Sequence, residues 1–515
     1  MILHHEFIKA AKKYSGKNAI VDKTTDRTVP YHKALIASLI LAKKFSKYKE
    51  GYLGIMIPNS AGSFLAVLGT VVSGKVPVMI NYSTGAANNC EYAQNKIGFK
   101  TILTSRALCE KIGCRLVPGM VFLEDIMEHV TGGNKIAAAA KAALPAKVII
   151  NSLPKADIED TVVILFTSGS EKDPKAVQLT HRNIGSNIQD VVQLLSLEPK
   201  DVMMSILPLF HVFGQMANFW LPMSTGMTAI TYANPLDYKK IPELLRTEKV
   251  TMIAATPIFF TGYLKESKSG DFSTVRLAIA GADKVPDSLR EGFQKKQNLV
   301  LLEGYGATET SPVVSVNTPK DNKPGSIGKV VPSCQVKITD IRSGKALPTG
   351  QEGKILVKGE NIMKGYFDDI EETSLRIVDG WYDTGDMGMM DAEGFLWHRG
   401  RLKRFVKIGG EMVSLVRSET VLEEMLPSGV GCCVVEVPDS VKGARLVAAV
   451  TEKVNEKEMI RKMGQKLSPI GIPKTFVVIP EMPKMGSGKI DFRTITDMVR
   501  DMLKDKNGNY LSNIE

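Results

Sequence analysis

A chain of 515 residues exceeds the ~250–300 at which a single hydrophobic core stops growing, so at least two domains are expected. Hydrophobic residues at 44% and charged residues at 23% are globular values, which exclude a disordered or collagen-like chain. The net charge of +11 would suit an anionic partner, but no clustered basic run singles out nucleic acid, and none is expected as a ligand. From Phe405 to the end, 16 basic residues stand against 15 acidic ones, so the excess lies upstream.

The six cysteines (90, 109, 114, 334, 432 and 433) show neither paired C-x-x-C spacing nor a dense disulfide framework, which fits a reducing cytoplasm. The N-terminal stretch carries no signal-peptide core. The most apolar segment, Met203 to Tyr232, is interrupted by His211, Gln215, Asn218 and Pro222. No transmembrane helix is expected, and membrane contact would be peripheral.

Thr28 to Phe45 starts strand-like and turns helical. Gly54-Ile-Met-Ile-Pro reads as a strand, Ser63 to Val72 as a helix and Val76 to Asn81 as the next strand. Such alternation implies a doubly wound α/β sheet with crossover connections. An Ala/Lys-rich helix, Lys135 to Ala143, then leads through a Pro-containing link to Val162-Val-Ile-Leu-Phe-Thr-Ser-Gly-Ser-Glu-Lys-Asp-Pro-Lys-Ala176. There a buried strand empties into hydroxyls, a glycine and a lysine. Thr167, Ser168, Gly169, Ser170 and Lys175 are equipment for holding phosphates, although the second glycine of a Walker A loop is missing.

Pro208-Leu-Phe-His-Val-Phe-Gly214 places His211, a polar group, in apolar company. It reads equally as a core histidine or as a site residue. Gln215 to Met223 could line an apolar pocket or pack as a core helix. Leu277-Ala-Ile-Ala-Gly-Ala-Asp-Lys284 is a strand ending in the small residues Gly281 and Ala282 beside Asp283, where a flat ring could approach backbone. Leu301-Leu-Glu-Gly-Tyr-Gly-Ala-Thr-Glu-Thr-Ser311, Trp381-Tyr-Asp-Thr-Gly-Asp386, the Gly400-Arg401 pair and Pro483-Lys-Met-Gly-Ser-Gly-Lys-Ile-Asp491 complete the set.

Together, and in this order, these motifs resemble the AMP-forming adenylating superfamily of acyl-CoA synthetases, luciferases and peptide-synthetase adenylation domains. The resemblance implies a large N-terminal domain with doubly wound sheets (1–400), a hinge (401–405) and a small mobile α+β domain (406–515). It implies ATP and Mg²⁺ as cofactors. Gly281, Ala282, Asp283, Gly304, Tyr305 and Gly306 would pack along adenine, and Asp386 and Arg401 would meet ribose or phosphate. Thr308 would meet the α-phosphate, while Glu309, with Thr167, would hold the metal. His211 would position the substrate carboxylate, and Lys489 matches the catalytic lysine. No Asp stands at 213 or 214, where amino-acid-activating relatives place an anion, so substrates with a free α-amine are disfavoured.

Within the superfamily, Ser-Glu in the phosphate loop and Gly-Gly-Glu-Met-Val-Ser-Leu after the hinge look most like the acyl-acyl-carrier-protein synthetases. Lys172 and Ala176 replace two common glycines, and Arg404 stands where the hinge usually carries Asp or Lys. The expected substrates are a fatty acid and acyl carrier protein, with coenzyme A as the rival acceptor. A basic ridge of Lys457, Arg461, Lys462 and Lys466 could present the small domain to an acidic carrier. A catalytically silent binder is disfavoured by the retention of Glu309, Asp386, Arg401 and Lys489.

Overall fold

The computed structural model describes residues 1–167, 174–408, 411–427, 429–439, 443–484 and 490–504. Ser168, Gly169, Ser170, Lys172 and Lys489 lie outside the described residues.

The large domain is built on two mainly parallel sheets of nine and seven strands, joined by a five-stranded antiparallel sheet. In the seven-stranded sheet, Val76–Met79 runs between Tyr52–Met56 and Thr161–Phe166 with parallel pairing on both sides. These strands read as continuous apolar runs because helices cover both faces. One such helix, Ala61–Val72, starts where Ser60 and Ser63 exchange side-chain and backbone hydrogen bonds. It packs on the helix Tyr31–Phe45 so closely that a Cβ at Gly69 would stand 2.6 Å from Leu41 Cβ, which is why this turn needs glycine.

The nine-stranded sheet carries the parallel neighbours Met252–Ala255, Leu277–Ala280 and Leu301–Gly306, then continues antiparallel through Val313–Val316. Sites on such sheets form beyond the carboxyl ends of the strands. Both 277–284 and 301–311 end there.

Beyond the 3₁₀ turn Leu402–Arg404, the smaller C-terminal domain is α+β, with strands Cys432–Asp439, Gly443–Val450 and Thr475–Val478 in one sheet. The first two pair antiparallel, as their alternation predicts. Their side chains divide cleanly. Cys432, Val434, Leu446 and Ala448 enter one core with Met459 and Met463, while Cys433, Val435, Val447 and Ala449 enter another with Ile495 and Val499. The adjacent cysteines thus point to opposite faces and are both free thiols. No helix of the described residues is long and apolar enough to cross a membrane.

Candidate active site

Thr167 and Lys175 face each other across the mouth of the phosphate-loop segment. The Thr167 N–H donates to the Lys175 carbonyl at 2.9 Å, and the Lys175 N–H donates to Thr167 Oγ1 at 3.1 Å. Ala176 begins the next strand, is fully enclosed and pairs with Phe166, so strand pairing there proceeds without the family's common glycine. The Lys175 ammonium is ion-paired with Glu372 and lies 5.0 Å from the centre of the Tyr366 ring. Tyr366 in turn donates its hydroxyl to Glu309 Oε1 at 2.9 Å. Burial, then the Glu309 charge, pushes the Tyr366 hydroxyl pKa well up, which keeps it a donor.

Glu309 sits in a short 3₁₀ turn, Thr308–Thr310, directly after the strand Leu301–Gly306. That turn requires Gly306, since a Cβ there would fall 1.8 Å from the Pro312 carbonyl oxygen. Thr308 is half-buried at its start. Among the described residues no group of three or more His, Cys, Asp or Glu could hold a metal. A single carboxylate such as Glu309 still suits Mg²⁺, a hard cation that completes its shell with water and substrate phosphate oxygens.

Asp386 anchors the other half of the site. It lies in the long strand Trp381–Met390, opposite Arg401 in the register of the neighbouring strand. Its Oδ2 accepts from the Tyr305 hydroxyl at 2.6 Å. Its Oδ1 is buried and has no hydrogen-bond partner among the described residues, although His398 Nε2 stands 3.6 Å away and Arg401 Nε 3.5 Å away. Burial by itself would raise the Asp386 pKa; His398, Arg401 and the Tyr305 hydroxyl nevertheless hold it below the usual carboxylate value. The group is thus an ionised, enclosed acceptor with one oxygen unsatisfied. A vicinal diol is the kind of donor that would complete it.

Gly281 bridges this half to the Pro208–Gly214 loop. A Cβ on it would meet Phe213 at 3.3 Å and the Gly304 carbonyl oxygen at 3.5 Å. Ala282 adopts a positive φ of 72°, and Ala282 and Asp283 are exposed. His211 is half-buried, with its ring 4.5 Å from Phe210, which itself packs edge-on against Tyr82. The following segment, Gly214–Trp220, is a π-helix in which every residue is buried. Met216, Phe219 and Trp220 belong to the main core, so of the two readings of this stretch the structure shows core packing. Gly214 permits it, because a Cβ would stand 2.3 Å from the Pro208 carbonyl oxygen.

The structure therefore gathers Thr167, Lys175 and Glu309 at one end and Gly304, Tyr305, Asp386 and Arg401 at the other. Sequence reasoning missed Tyr366, Glu372, Arg376 and His398. Arg376 links the halves, being bonded to Glu372 at 3.1 Å and 3.7 Å from the Cβ position of Gly385. His398 stands two positions before the matched Gly400-Arg401 pair, outside it.

The sequence matches the AMP-binding enzyme family over residues 7–367 and the AMP-binding enzyme C-terminal domain over 421–489. It is 28% identical to a long-chain-fatty-acid–CoA ligase of Bacillus subtilis, with 93% of this chain and 91% of that protein covered. It is 32% identical to a long-chain-fatty-acid–CoA ligase of Escherichia coli O6:H1, covering 68% of this chain and 63% of that one. The fold is shared with ATP-bound MatB from Rhodopseudomonas palustris, at a TM-score of 0.84 and 24% identity over 97% of this chain and 100% of that one. With both of its parts matched, the chain belongs to the AMP-binding enzyme family.

Proposed function

We propose that the protein is an AMP-forming acid–thiol ligase, which activates a fatty acid with ATP and transfers the acyl group to coenzyme A. The observation that carries the nucleotide half is the enclosed Asp386 carboxylate, ionised yet with Oδ1 unsatisfied, beside Tyr305 and Arg401. A ribose supplies the missing donors.

In the first half-reaction the substrate carboxylate attacks the α-phosphorus of ATP, forming an acyl-AMP and releasing pyrophosphate. Thr308 and Lys489 would steady the charge that gathers on the phosphate oxygens, and His211 would orient the carboxylate. Glu309, with Thr167, would hold Mg²⁺, whose charge lets a carboxylate stand near polyphosphate without repelling it. Lys175 would exchange its Glu372 partner for phosphate. In the second half-reaction a thiolate attacks the acyl carbon and AMP leaves. Residues 401–405 are proposed as the hinge about which the small domain turns between the two steps.

Coenzyme A is preferred to acyl carrier protein as acceptor because the curated relatives are CoA ligases. The basic ridge also supports a carrier less than its sequence implied. Lys462 pairs with Glu458 and Lys466 with Glu424, both at 2.7 Å. The expected result is efficient thioester formation when ATP and a long-chain fatty acid are supplied with coenzyme A. Turnover with purified holo-carrier and none with coenzyme A would reverse the acceptor, and absence of pyrophosphate release with every acid would sink the ligase reading.

Asp386→Asn tests the nucleotide half separately. The amide can still accept from Tyr305, but its NH₂ cannot accept from a ribose hydroxyl. Loss of hydrogen bonds to a charged acceptor should weaken AMP binding by roughly 10–100-fold. Calorimetry that finds wild-type affinity would remove Asp386 from the site.

A further inference from the structure

We infer that the outer face of the helix Gly132–Ala143, together with the lysines that flank it, docks on an anionic lipid surface. The helix begins at a reciprocal cap between Thr131 and Asn134 and rests on the helix Tyr31–Phe45 through Ala138 and Ala142. Its C-terminal carbonyls are tied down by Lys12, whose ammonium donates to Ala142 O at 2.9 Å and Ala143 O at 3.1 Å. It is therefore held as a fixed ridge.

The side turned to solvent is apolar at helical spacing. Ile136 is 73% exposed, Leu144 just past the helix end is 43% exposed, and Ala140 and Ala143 are exposed between them. What sets these side chains apart is that they share one strip of a fixed helix, and a contiguous apolar patch marks an interaction surface. A groove of about 430 Å³ along one flank carries Lys43, Lys44, Lys47 and Lys141, and one of about 300 Å³ along the other carries Lys33 and Lys135. Neither groove is lined by a carboxylate. Among the described residues none of these lysines forms an ion pair with a carboxylate.

An apolar ridge between two rows of uncompensated lysines is the layout of a helix lying in a bilayer interface. The ridge would enter the acyl boundary while the ammonium groups reach up to phosphate headgroups. A protein partner is less well served. The ridge offers no tryptophan, tyrosine or arginine, the side chains that anchor protein interfaces, whereas a fluid lipid surface needs only diffuse charge and shallow insertion. The position also explains where part of the basic excess upstream of Phe405 is placed. Docking itself stands apart from the ligase reading; its use in drawing fatty acid from a bilayer rests on that reading.

The test is flotation of the full chain with vesicles of phosphatidylcholine alone and with phosphatidylglycerol added. The protein should float only with the anionic vesicles, less as salt rises from ~50 to 500 mM. Lys43→Gln/Lys47→Gln/Lys141→Gln should lower partitioning by ~10²-fold, at about fivefold per lysine. Ile136→Ser/Leu144→Ser should lower it through the apolar ridge instead. Both variants should keep wild-type circular dichroism and wild-type pyrophosphate release with a soluble short-chain acid. No flotation with anionic vesicles, flotation unchanged in both variants, or lysine-dependent capture of an acidic carrier without lipid binding would each overturn the inference. A wild-type protein that floats but releases no pyrophosphate would fail only the ligase reading.

Discussion

Replacing Lys489 with alanine is expected to lower acyl-AMP formation by ~10²–10³-fold or more, while thioester formation from ready-made acyl-AMP is spared. A lysine matters most where charge develops. As the carboxylate attacks, negative charge shifts onto oxygens that bridge and surround the α-phosphorus, and an ammonium aimed at them lowers the barrier without binding the ground state equally. Two glycines, Gly486 and Gly488, precede it in the sequence, and the match to the family's C-terminal domain ends at Lys489 itself. The second half-reaction expels AMP, an acceptable leaving group, so it depends less on that charge. Pyrophosphate release and single-turnover thiolation, measured side by side, separate the two. Adenylation within a fewfold of wild type would remove Lys489 from the catalytic role.

Much of the architecture was legible because its signals are local. Apolar runs such as Val162–Phe166 are buried strands, and the alternation through Cys432 and Cys433 correctly sends the two thiols to opposite faces. Close approaches of backbone to backbone announce themselves through Gly214 and Gly306, which no larger residue could replace. The surroundings of the site were less legible. Glu372 reaches Lys175 across 197 positions, and Tyr366 reaches Glu309 across 57, so no spacing rule connects them. The π-helix after His211 escaped for a different reason: Gln215 to Met223 has a composition that fits a pocket wall and a core helix equally. The helix Gly132–Ala143 was readable as a helix, but its lysine flanks are completed by Lys33, Lys43 and Lys44 of the helix Tyr31–Phe45 and by Lys47 in the turn after it, about a hundred positions earlier. Hence the +11 charge looked dispersed in the sequence while part of it is gathered in space.

Arg404→Ala is expected to destabilise the C-terminal domain by about 3–5 kcal/mol. In sequence Arg404 is a departure at the proposed hinge; in the structure its guanidinium turns into the small domain and is bound there. It pairs with the Glu419 carboxylate, and its Cζ lies 4.0 Å over the Phe492 ring. The two side chains are only 11% and 12% exposed. Glu419 Oε1 also accepts from the Val434 N–H at 2.7 Å, which ties the pair to the edge strand Cys432–Asp439. Alanine would leave an enclosed carboxylate without its counter-charge, and that penalty exceeds the worth of the pair itself. The combination Arg404→Met/Glu419→Gln should recover most of the loss, because the amide oxygen still accepts from Val434 and no charge remains buried. Arg404→Pro, which would fix φ near −65° in the proposed hinge, removes the same anchor. Loss of both half-reactions in that variant would therefore report unfolding of the small domain and leave hinge motion unmeasured. Urea denaturation followed by proteolysis of the C-terminal domain distinguishes these outcomes. If the single alanine variant unfolds at the wild-type midpoint, the pair does not hold the domain, and the proline variant becomes a clean probe of rotation.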